Sequence, residues 1–493
     1  MTQCLIYENS DDPACVDFGP STETVKKSDK FSLNHLDDVK RVELETLLND
    51  FKTVFNDLPG STKLVSHYIE LIPGAKPVRM SPYRVNPEKA DIIKKELEEM
   101  REMGVIEDST SPWSLPICLV PKPDGSIRFC VDYRKVNTLT VPDAFPMPRI
   151  EDLIDRIGNS RFLTKIDLSR GYWQVPLDED AKAISAFVTP HGLFQWRYMP
   201  FGLRNAPATF SKLVKKVLHG LDAFTGAYLD DIVIFSDSWV EHVKHLKMVF
   251  QRIAKAGLTI KRSKCVFASA VVDYLGHTVG LNKVQPRQLK VQAIVDFPRP
   301  HDRKQLRSFL GLVGYYRRFL PHFSQLSAVL NDMLKKNAKF EWSEEAQKAF
   351  VDIKSRLASQ PILRPPDFAK PFCLAVDASD RAIGANLFQE IDGVEHPICY
   401  YSKKLDIHQR RYSTIEKEAL ALILAVRVFS VYFGTQPVIV YSDHSPLQFL
   451  NKMANCNQKL LRWSLELQQY NLTICHRPGS KNLIPDILSR PSS

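Results

Sequence analysis

The sequence lacks the features that mark secreted, membrane-spanning and zinc-binding proteins. Its nine cysteines are scattered and form no Cys-x-x-Cys pair, which argues against a disulfide framework or a zinc site. No apolar run approaches the roughly 20 residues that a membrane helix needs. The N-terminus turns acidic at once and has no signal-peptide core. We therefore expect an intracellular, cytoplasmic protein with buried thiols and no membrane partner.

Charge is unevenly spread along the 493 residues, whose formal net charge is +10. Residues 1–60 hold 6 Lys or Arg against 12 Asp or Glu, so the remainder carries +16. A basic body of this size predicts a polyanionic partner, above all nucleic acid, although a surplus that only aids solubility is the alternative. The length allows about three or four domains, each able to bury its own core.

The most informative feature is a pair of adjacent aspartates, Asp230 and Asp231, with apolar residues on both sides. This pattern predicts strand, tight turn and strand, with the acids at the turn. At ~4 Å and an effective dielectric constant of about 20, two such charges repel by roughly 4 kcal/mol. A third acid, Asp167, closes another apolar strand. Three carboxylates at strand ends in a basic protein predict a site for two divalent cations that transfers nucleotidyl groups.

The motifs around these acids, in this order along the chain, resemble the polymerase of gypsy-type LTR retrotransposons. The similar segments are the Asp167 strand, the Tyr-Leu-Asp-Asp run at 228–231, and the stretches 128–137 and 199–210. The resemblance runs from about Ser66 to Arg490, which is nearly the whole chain. It implies a multi-domain α+β and α/β protein, in which a right-hand polymerase with fingers, palm and thumb precedes a ribonuclease H-like α/β domain.

The domain boundaries follow from this resemblance and from shifts in composition. We expect an acidic N-terminal linker region over 1–65, reverse transcriptase fingers and palm over 66–280, a helical thumb or connector over 281–365, and a ribonuclease H domain over 366–493. Local patterns predict an amphipathic helix near Val42–Phe55, a helix over Pro87–Met103, and strands over Ile117–Pro121 and Arg128–Val131. The helix after Asn205 places an apolar face on the palm, made of Phe210, Leu213, Val214, Val217 and Leu218.

The resemblance also implies a cofactor and further residues for the polymerase site. Asp167, Asp230 and Asp231 would hold two Mg²⁺ ions, with Mn²⁺ as the alternative, because hard cations prefer carboxylate and phosphate oxygens. Tyr172 matches the aromatic residue that excludes a 2′-hydroxyl group. The residues matching contacts to the incoming nucleotide are Lys122, Arg128, Tyr172, Phe201 and Gly202. Those matching the primer grip are Leu275, Gly276 and His277.

A second acidic site is predicted in the C-terminal region, where an apolar strand again ends on an acid, Asp377. A helix over 413–433, a strand ending at Asp443 and a short helix containing Asp486 follow. By resemblance to the ribonuclease H domain of these elements, two metal ions would bind there to four acids: Asp377, Glu418, Asp443 and Asp486.

Two glutamates of this helix, Glu416 and Glu418, are candidate metal ligands. Their positions on the helix indicate which of them is the ligand. Ser413 and Glu416 have capping-box spacing, so Glu416 is expected to fold back on the helix start. Glu418 shares a face with Ile415 and Leu422, and an acid on a buried face needs a metal. Glu418 is therefore the predicted ligand. By resemblance, His476 lies where some ribonucleases H carry a mobile catalytic histidine.

Together these observations predict an RNA-directed DNA polymerase with ribonuclease H activity. Its partners would be an RNA template, a DNA primer strand, an RNA–DNA hybrid and deoxynucleoside triphosphates, with a second copy or other polyprotein parts as candidate protein partners and a virus-like particle as a fitting location. No Asp-Thr-Gly or Asp-Ser-Gly is present, so a retroviral-type protease is not expected in this chain. There is also no His/Cys pattern of zinc spacing, so an integrase zinc module is not expected either.

Two alternatives are an inactive or host-adopted remnant that only binds nucleic acid, and a polymerase for DNA templates. Decay would strike buried acids early, yet all seven are present. The ribonuclease H partner argues against the DNA-template alternative.

Overall fold

The structure is a computed structural model that describes residues 33–121, 127–336, 338–359, 361–443 and 458–477. The chain divides into two compact units, which are described separately. Unit 1 comprises Met1–Leu153 and Ser160–Leu275, and unit 2 comprises Ile154–Asn159 and Gly276–Ser493. Lys122, His444, Asn482 and Asp486 lie outside the described residues. Within the described residues, no helix is both long enough and apolar enough to cross a membrane.

The first unit mixes helices and short strands. Its helices are α1 (Asp38–Asp50), α2 (Pro87–Glu102), α3 (Arg134–Leu139), α4 (Ile150–Ile157, which continues into the second unit), α5 (Glu179–Ile184), α6 (Ala206–Val217) and α7 (Trp239–Lys255). Its strands are β1 (Ile106–Asp108), β2 (Leu115–Pro121), β3 (Ile127–Val131), β4 (Phe162–Asp167), β5 (Phe187–Thr189), β6 (Gly192–Trp196), β7 (Thr225–Tyr228), β8 (Asp231–Ser236), β9 (Val266–Ser269) and β10 (Val271–Tyr274).

A four-stranded sheet in the order β7-β8-β4-β9 carries the three acids of the first predicted site. β8 pairs antiparallel with both β7 and β4. Its interior residues Ile232, Val233 and Ile234 are buried and β-branched, which suits a central strand. Helix α7 packs on this sheet through Leu246, Val249, Phe250 and Ile253, spaced at helical period. This packing holds the strand ends, and hence the acids, in place.

A second sheet of five strands has the order β1-β6-β5-β2-β3. Strands β2 and β3 pair antiparallel, with Val120 opposite Arg128. The predicted strands at Ile117–Pro121 and Arg128–Val131 and the helix at Pro87–Met103 are confirmed to within two residues. Helix α6 buries Phe210, Leu213, Val214 and Val217 as its periodicity predicts.

The first helix differs from its prediction. A helix near Val42–Phe55 was expected, but α1 runs over Asp38–Asp50 and a separate 3-10 turn covers Lys52–Val54. The side chain of Asp37 accepts a hydrogen bond from the Lys40 N–H, and this N-cap sets the earlier start. Leu44 and Leu48 of α1 are fully buried in the hydrophobic core of unit 1. A stretch that resembles a linker by composition therefore contributes to that core.

The second unit contains a helical region followed by a mixed sheet. Its helices are α8 (Gln288–Val295), α9 (Arg303–Gly314), α10 (Phe323–Leu326), α11 (Ala328–Asp332), α12 (Glu344–Ala358), α13 (Thr414–Phe433) and α14 (Gln458–Leu467). Its strands are β11 (His277–Gly280), β12 (Lys283–Pro286), β13 (Phe372–Ala378), β14 (Ala382–Ile391), β15 (Val394–Lys404), β16 (Val438–Ser442) and β17 (Leu472–His476).

The mixed sheet has the order β15-β14-β13-β16-β17. The three strands β13 to β15 pair antiparallel, whereas β16 and β17 run parallel to β13. Helix α13 packs on β13 and β14 and is buried on nearly every side of its middle turns. The predicted strand ending near Asp377, the helix over 413–433 and the strand ending near Asp443 are confirmed. The predicted short helix containing Asp486 lies outside the described residues, and α14 and β17 were not anticipated. The carboxyl ends of β13 and β16 meet at one edge, which positions the second acidic site.

A buried ion pair lies inside unit 2. Arg318 donates a hydrogen bond to Asp155 Oδ1 at 3.0 Å, and the Tyr432 hydroxyl donates one to Asp155 Oδ2 at 3.0 Å. The Arg318 and Asp155 side chains are 7% and 6% exposed. Three segments far apart in the chain therefore share one buried charge pair, which costs desolvation and is stable only while both partners are present.

The described cysteines agree with the prediction of buried free thiols. Within the described residues none forms a disulfide, and Cys118 and Cys373 are buried. Burial raises the pKa of the Cys265 thiol to about 12. Such thiols are protonated near neutral pH and therefore poor nucleophiles.

Candidate active sites

A tight hairpin places the adjacent aspartates at the edge of the four-stranded sheet. β7 ends at Tyr228, which pairs with Asp231 at the start of β8. Leu229 and Asp230 form the two-residue turn between them, so Asp230 lies in the turn as predicted, whereas Asp231 begins β8. Leu229 has φ of 54°, a left-handed conformation that residues with a Cβ adopt at a cost. Asp231 also lies directly opposite Asp167 on β4. The register of the sheet thus brings Asp167 and Asp231 together from positions 64 residues apart.

The electrostatics of these acids are those of a crowded, partly desolvated site. Burial first, and then the charges of Asp231 and Asp167, raise the pKa of Asp230 to about 6. The pKa of Asp167 is also raised, first by burial. Both shifts disfavour the charged forms, so a positive group at the site would stabilise it.

Two lysines supply part of that positive charge. Lys165 Nζ lies 2.9 Å from Asp231 Oδ1, and Lys264 Nζ lies 3.2 Å from Asp167 Oδ2. Neither lysine was singled out from the sequence. Lys165 precedes Asp167 by two residues on β4, so strand alternation was the available signal for it. No pattern in the sequence near Lys264 predicts its contact with Asp167, because that contact depends on the tertiary fold.

The aromatic residues expected near the nucleotide lie against one another. The rings of Tyr172 and Phe201 stack with centroids 4.9 Å apart, and Phe201 is 53% exposed. Tyr172 also contacts Phe210, with centroids 5.3 Å apart. The carbonyl of Gly202 accepts a hydrogen bond from the Asn137 side chain at 2.9 Å. Gly202 has φ of 94°, a conformation that glycine adopts without a steric penalty.

Gly171, which precedes the stacked tyrosine, permits a close approach. A Cβ atom at this position would lie 2.9 Å from the Phe210 ring and 3.4 Å from Asp230 Cβ. Only glycine therefore lets the turn at Gly171–Gln174 approach both the core and the acidic hairpin.

The remaining described polymerase candidates lie on β3 and in the segment 275–277. The Arg128 backbone lies in β3, opposite Val120, while Lys122 is outside the described residues. Leu275 ends unit 1 and has φ of 46°, and Gly276 and His277 begin unit 2. His277 is only 3% exposed, and its ring lies against Tyr315, Tyr316 and Phe319. Its side chain therefore packs inside unit 2 and is not exposed at the surface.

The second site gathers acids from three elements of unit 2. Asp377 lies on β13, Glu418 on α13, and Asp443 directly after β16. One possible ligand oxygen from each lies within 4.8 Å of the other two. Among the described residues, no other group of three such side chains has its ligand atoms this close together. The carboxylate oxygens of Asp167, Asp230 and Asp231 are therefore more widely spaced.

The Glu418 side chain has the character of a metal ligand. Its Oε1 accepts a hydrogen bond from the Ala378 N–H at 3.2 Å, and its Oε2 is buried with no hydrogen-bond partner among the described residues. Burial, followed by the charges of Asp377 and Asp443, raises the pKa of Glu418 to about 9. A buried carboxylate oxygen without a donor, beside two more acids, fits a divalent cation that prefers hard oxygen ligands.

Glu416 has the different role that the sequence predicted. Ser413 Oγ accepts from the Glu416 N–H at 3.3 Å, and the Ser413 N–H donates to Glu416 Oε2 at 2.9 Å. This reciprocal pair is a capping box. Lys459 also contacts Glu416 Oε1 at 3.1 Å. Both oxygens of Glu416 are thus engaged at the start of α13.

Two neighbours of the second site, His476 and Asp380, are also located. His476 ends β17, and its Nε2 donates to the Asp443 carbonyl oxygen at 3.1 Å. Asp380 is exposed and pairs with Lys417 at 2.6 Å, which agrees with a structural role. The fourth acid, Asp486, lies outside the described residues.

Comparisons with known proteins agree with this geometry. The reverse transcriptase (RNA-dependent DNA polymerase) family matches residues 120–279, and the RNase H-like domain found in reverse transcriptase matches residues 367–470. These segments contain Asp167, Asp230, Asp231, Asp377, Glu418 and Asp443. The chain therefore contains the reverse transcriptase and RNase H-like domains of a reverse transcriptase, and its homologues are polyproteins of gypsy-type transposons.

Among its relatives are polyproteins of transposable elements. The chain is 36% identical to the retrovirus-related Pol polyprotein from transposon 297 of Drosophila melanogaster, over 95% of this chain and 45% of the relative. It is 33% identical to the transposon Tf2-3 polyprotein of Schizosaccharomyces pombe, over 99% of this chain and 38% of the relative. The chain therefore spans less than half the length of these two relatives.

Solved structures show the same fold. The foamy viral protease–reverse transcriptase in complex with double-stranded DNA is 24% identical, with a TM-score of 0.79 over 90% of this chain and 94% of that one. The same viral protein has been solved with an RNA/DNA hybrid, with 23% identity and a TM-score of 0.76 over 93% of this chain and 62% of that one. The reverse transcriptase fold followed by a ribonuclease H-like domain is thus shown.

Proposed function

We propose that this protein copies retrotransposon RNA into DNA and degrades the RNA strand of the resulting hybrid. The observation that carries the proposal is the convergence of Asp377, Glu418 and Asp443 within 4.8 Å in a chain whose β4–β8 register also sets Asp167 opposite Asp231. Two acidic sites in two separate units suit a polymerase joined to a nuclease. The reverse transcriptase and ribonuclease H-like family matches support both halves.

The acids of each site would hold divalent cations, which we propose to be Mg²⁺. Asp167, Asp230 and Asp231 would be the ligands at the first site, and Asp377, Glu418, Asp443 and Asp486 at the second. When bound, such ions activate the attacking oxygen and neutralise the leaving group of a phosphoryl transfer. Because the pKa of Glu418 is raised to about 9, this carboxyl group must lose a proton before it can serve as a charged ligand at neutral pH.

The residues around the first site would bind and select the nucleotide. The stacked pair Tyr172 and Phe201 presents an aromatic surface beside the acidic hairpin, and Tyr172 would oppose a 2′-hydroxyl group by occupying its space. Lys122 and Arg128 would pair with the triphosphate, because cationic groups stabilise charge on phosphate oxygens. The backbone of Leu275 and Gly276 would support the primer strand, since the His277 ring is buried in packing.

The substrates would be an RNA template with a DNA primer, deoxynucleoside triphosphates, and an RNA–DNA hybrid. The foamy viral relative in fold has been solved with double-stranded DNA and with an RNA/DNA hybrid, which supports nucleic acid duplexes of both kinds. The excess of positive charge outside residues 1–60 favours the same partners.

The deciding experiment is primer extension on an RNA template with Mg²⁺ and deoxynucleotides, measured beside cleavage of a labelled RNA strand annealed to DNA. We expect both activities in the same preparation. Binding of the hybrid without extension or cleavage would favour the alternative of an inactive nucleic-acid-binding remnant. Extension on a DNA template alone would instead point to a DNA-templated polymerase.

A further inference from the structure

Two lysines contact the acids of the first site, and both belong to unit 1. Lys165 Nζ is 2.9 Å from Asp231 Oδ1, and Lys264 Nζ is 3.2 Å from Asp167 Oδ2. The Lys165 side chain is 21% exposed and that of Asp231 is 26% exposed. For Lys264 and Asp167 the values are 45% and 13%. These pairs are partly withdrawn from water, so their attraction is stronger than that of an exposed surface pair.

The backbone holds both lysines beside the acids. Lys165 lies on the same face of β4 as Asp167 and is diagonal to Asp231 across the β4–β8 ladder. Lys264 ends the 3-10 turn Arg262–Lys264. That turn is anchored on the end of β4, because the Lys261 N–H donates to the Asp167 carbonyl oxygen at 2.8 Å. Neither contact therefore depends on a long flexible loop.

The second site manages its negative charge differently. Lys417 precedes Glu418 in the chain but gives its ammonium group to Asp380, at 2.6 Å. The ammonium group next to Glu418 in the sequence is thus paired with an exposed acid and not with Glu418.

We propose that Lys165 and Lys264 are internal counter-ions that compete with divalent cations for Asp231 and Asp167. A carboxylate oxygen that accepts from an ammonium group is less available to a metal ion, and the positive charge repels the ion as well. The two lysines therefore lower the affinity of the first site for metal while stabilising the acids against their mutual repulsion. This inference rests on the proposed function, in which the first site binds metal.

The test measures Mn²⁺ binding to the full chain, with free Mn²⁺ followed by electron paramagnetic resonance. All proteins carry Asp377→Asn, which weakens the second site so that binding reports on the first. Lys165→Met and Lys264→Met remove the charge and keep an unbranched side chain. Each is expected to lower the Kd for Mn²⁺ by roughly 3- to 10-fold. The control is Lys247→Met, because Lys247 is exposed on α7; its Kd should stay within about twofold.

Thermal unfolding gives a second measurement that does not depend on activity. In a chelator, Lys165→Met and Lys264→Met should lower the Tm, since the acids lose their counter-ions. Saturating Mn²⁺ should raise the Tm of these variants by more than it raises that of the background protein. If Lys165→Met fails to fold, Lys165→Gln keeps a polar side chain without charge and serves in its place.

The outcomes separate this inference from the proposed function. Lysine variants that bind Mn²⁺ no more tightly than the control overturn the counter-ion role, provided that Asp230→Asn weakens binding. Weaker Mn²⁺ binding by the lysine variants also overturns it, because the lysines would then assist the metal. If Asp230→Asn leaves Mn²⁺ binding unchanged, the first site is not a metal site, and both the proposed function and the inference fall.

Discussion

Asp167 and Asp231 lie directly opposite each other on neighbouring antiparallel strands, with Asp230 in the adjoining turn. Opposed like charges on one face of a sheet are destabilising. Here Lys165 and Lys264 each contact one member of the pair. The arrangement lowers the stability of the fold but concentrates the negative charge that a metal site needs.

Replacing Asp230 with Asn should abolish most primer extension while the protein stays folded. The change removes a ligand charge but keeps the shape of a side chain that is half-buried in the turn. We expect a loss of at least about 100-fold in the rate of extension on an RNA template, of the order seen when a group acting on the transition state is removed. Cleavage of RNA in a hybrid should persist, because its acids lie in unit 2. Extension at the wild-type rate would end the metal assignment for the hairpin.

Shrinking Tyr172 to Ala should relax selection against ribonucleotides. The Tyr172 ring stacks on exposed Phe201, so its removal opens space beside the proposed nucleotide. The ratio of kcat/KM for a ribonucleotide to that for the matching deoxynucleotide should rise by about 10-fold or more, which corresponds to 1.4 kcal/mol. Tyr172→Phe keeps the ring and is the matched control. An unchanged ratio in Tyr172→Ala would leave the ring with a packing role only.

The two glutamates of α13 should differ in their effect on hybrid cleavage. Glu418→Gln is expected to reduce cleavage to background, since a buried ligand loses its charge. Glu416→Gln should cost little activity, because Gln also completes a capping box, although the contact with Lys459 is weakened. Primer extension by both variants controls for misfolding. A dead Glu416→Gln beside an active Glu418→Gln would transfer the metal to Glu416.

The stability of the metal-free protein should depend on pH through Glu418. Burial, followed by the charges of Asp377 and Asp443, raises the pKa of Glu418 from 4.5 to about 9. A carboxyl group whose pKa is raised by folding contributes stability that is complete below about pH 4.5 and is lost as the pH rises towards 9. Gln needs no proton, so Glu418→Gln should have a Tm a few degrees above wild type in a chelator at pH 8.

This gain should shrink towards pH 4.5 and disappear with saturating Mg²⁺, which favours the charged wild-type side chain. Thermal unfolding of the two proteins, compared at each pH, provides the measurement. Equal Tm values at pH 8 in the chelator would show that Glu418 is not held in a desolvated site.

Breaking the buried ion pair of unit 2 should be strongly destabilising. Arg318→Met leaves Asp155 buried without its charge partner, and such a loss costs about 3–5 kcal/mol. Tyr432→Phe removes only one hydrogen bond to Asp155 and should cost about 1 kcal/mol. Urea unfolding of unit 2, followed by fluorescence, measures both. Comparable stability of Arg318→Met and wild type would show that the pair contributes no net stability.

Local chemistry was readable from the sequence at several of these positions. The capping box between Ser413 and Glu416, the turn at Asp230 and the buried face of α6 all follow from spacings of a few residues. Such features depend on hydrogen bonds and side-chain periodicity within one element. The start of α1 shows the limit of this reasoning, because the Asp37 N-cap outweighed the apolar pattern used to predict it.

The sequence by itself therefore determined which acids are present, which glutamate caps its helix, and which apolar faces form the core. Only the tertiary structure decided that Lys264 reaches Asp167 across 97 residues, that Asp377, Glu418 and Asp443 converge from three elements, and that Asp155, Arg318 and Tyr432 share one buried site. The physical reason is that these contacts depend on strand register and on packing between distant segments. Strand register and long-range packing produce no periodic pattern within a short stretch of sequence. Both are set by the free energy of the whole folded unit.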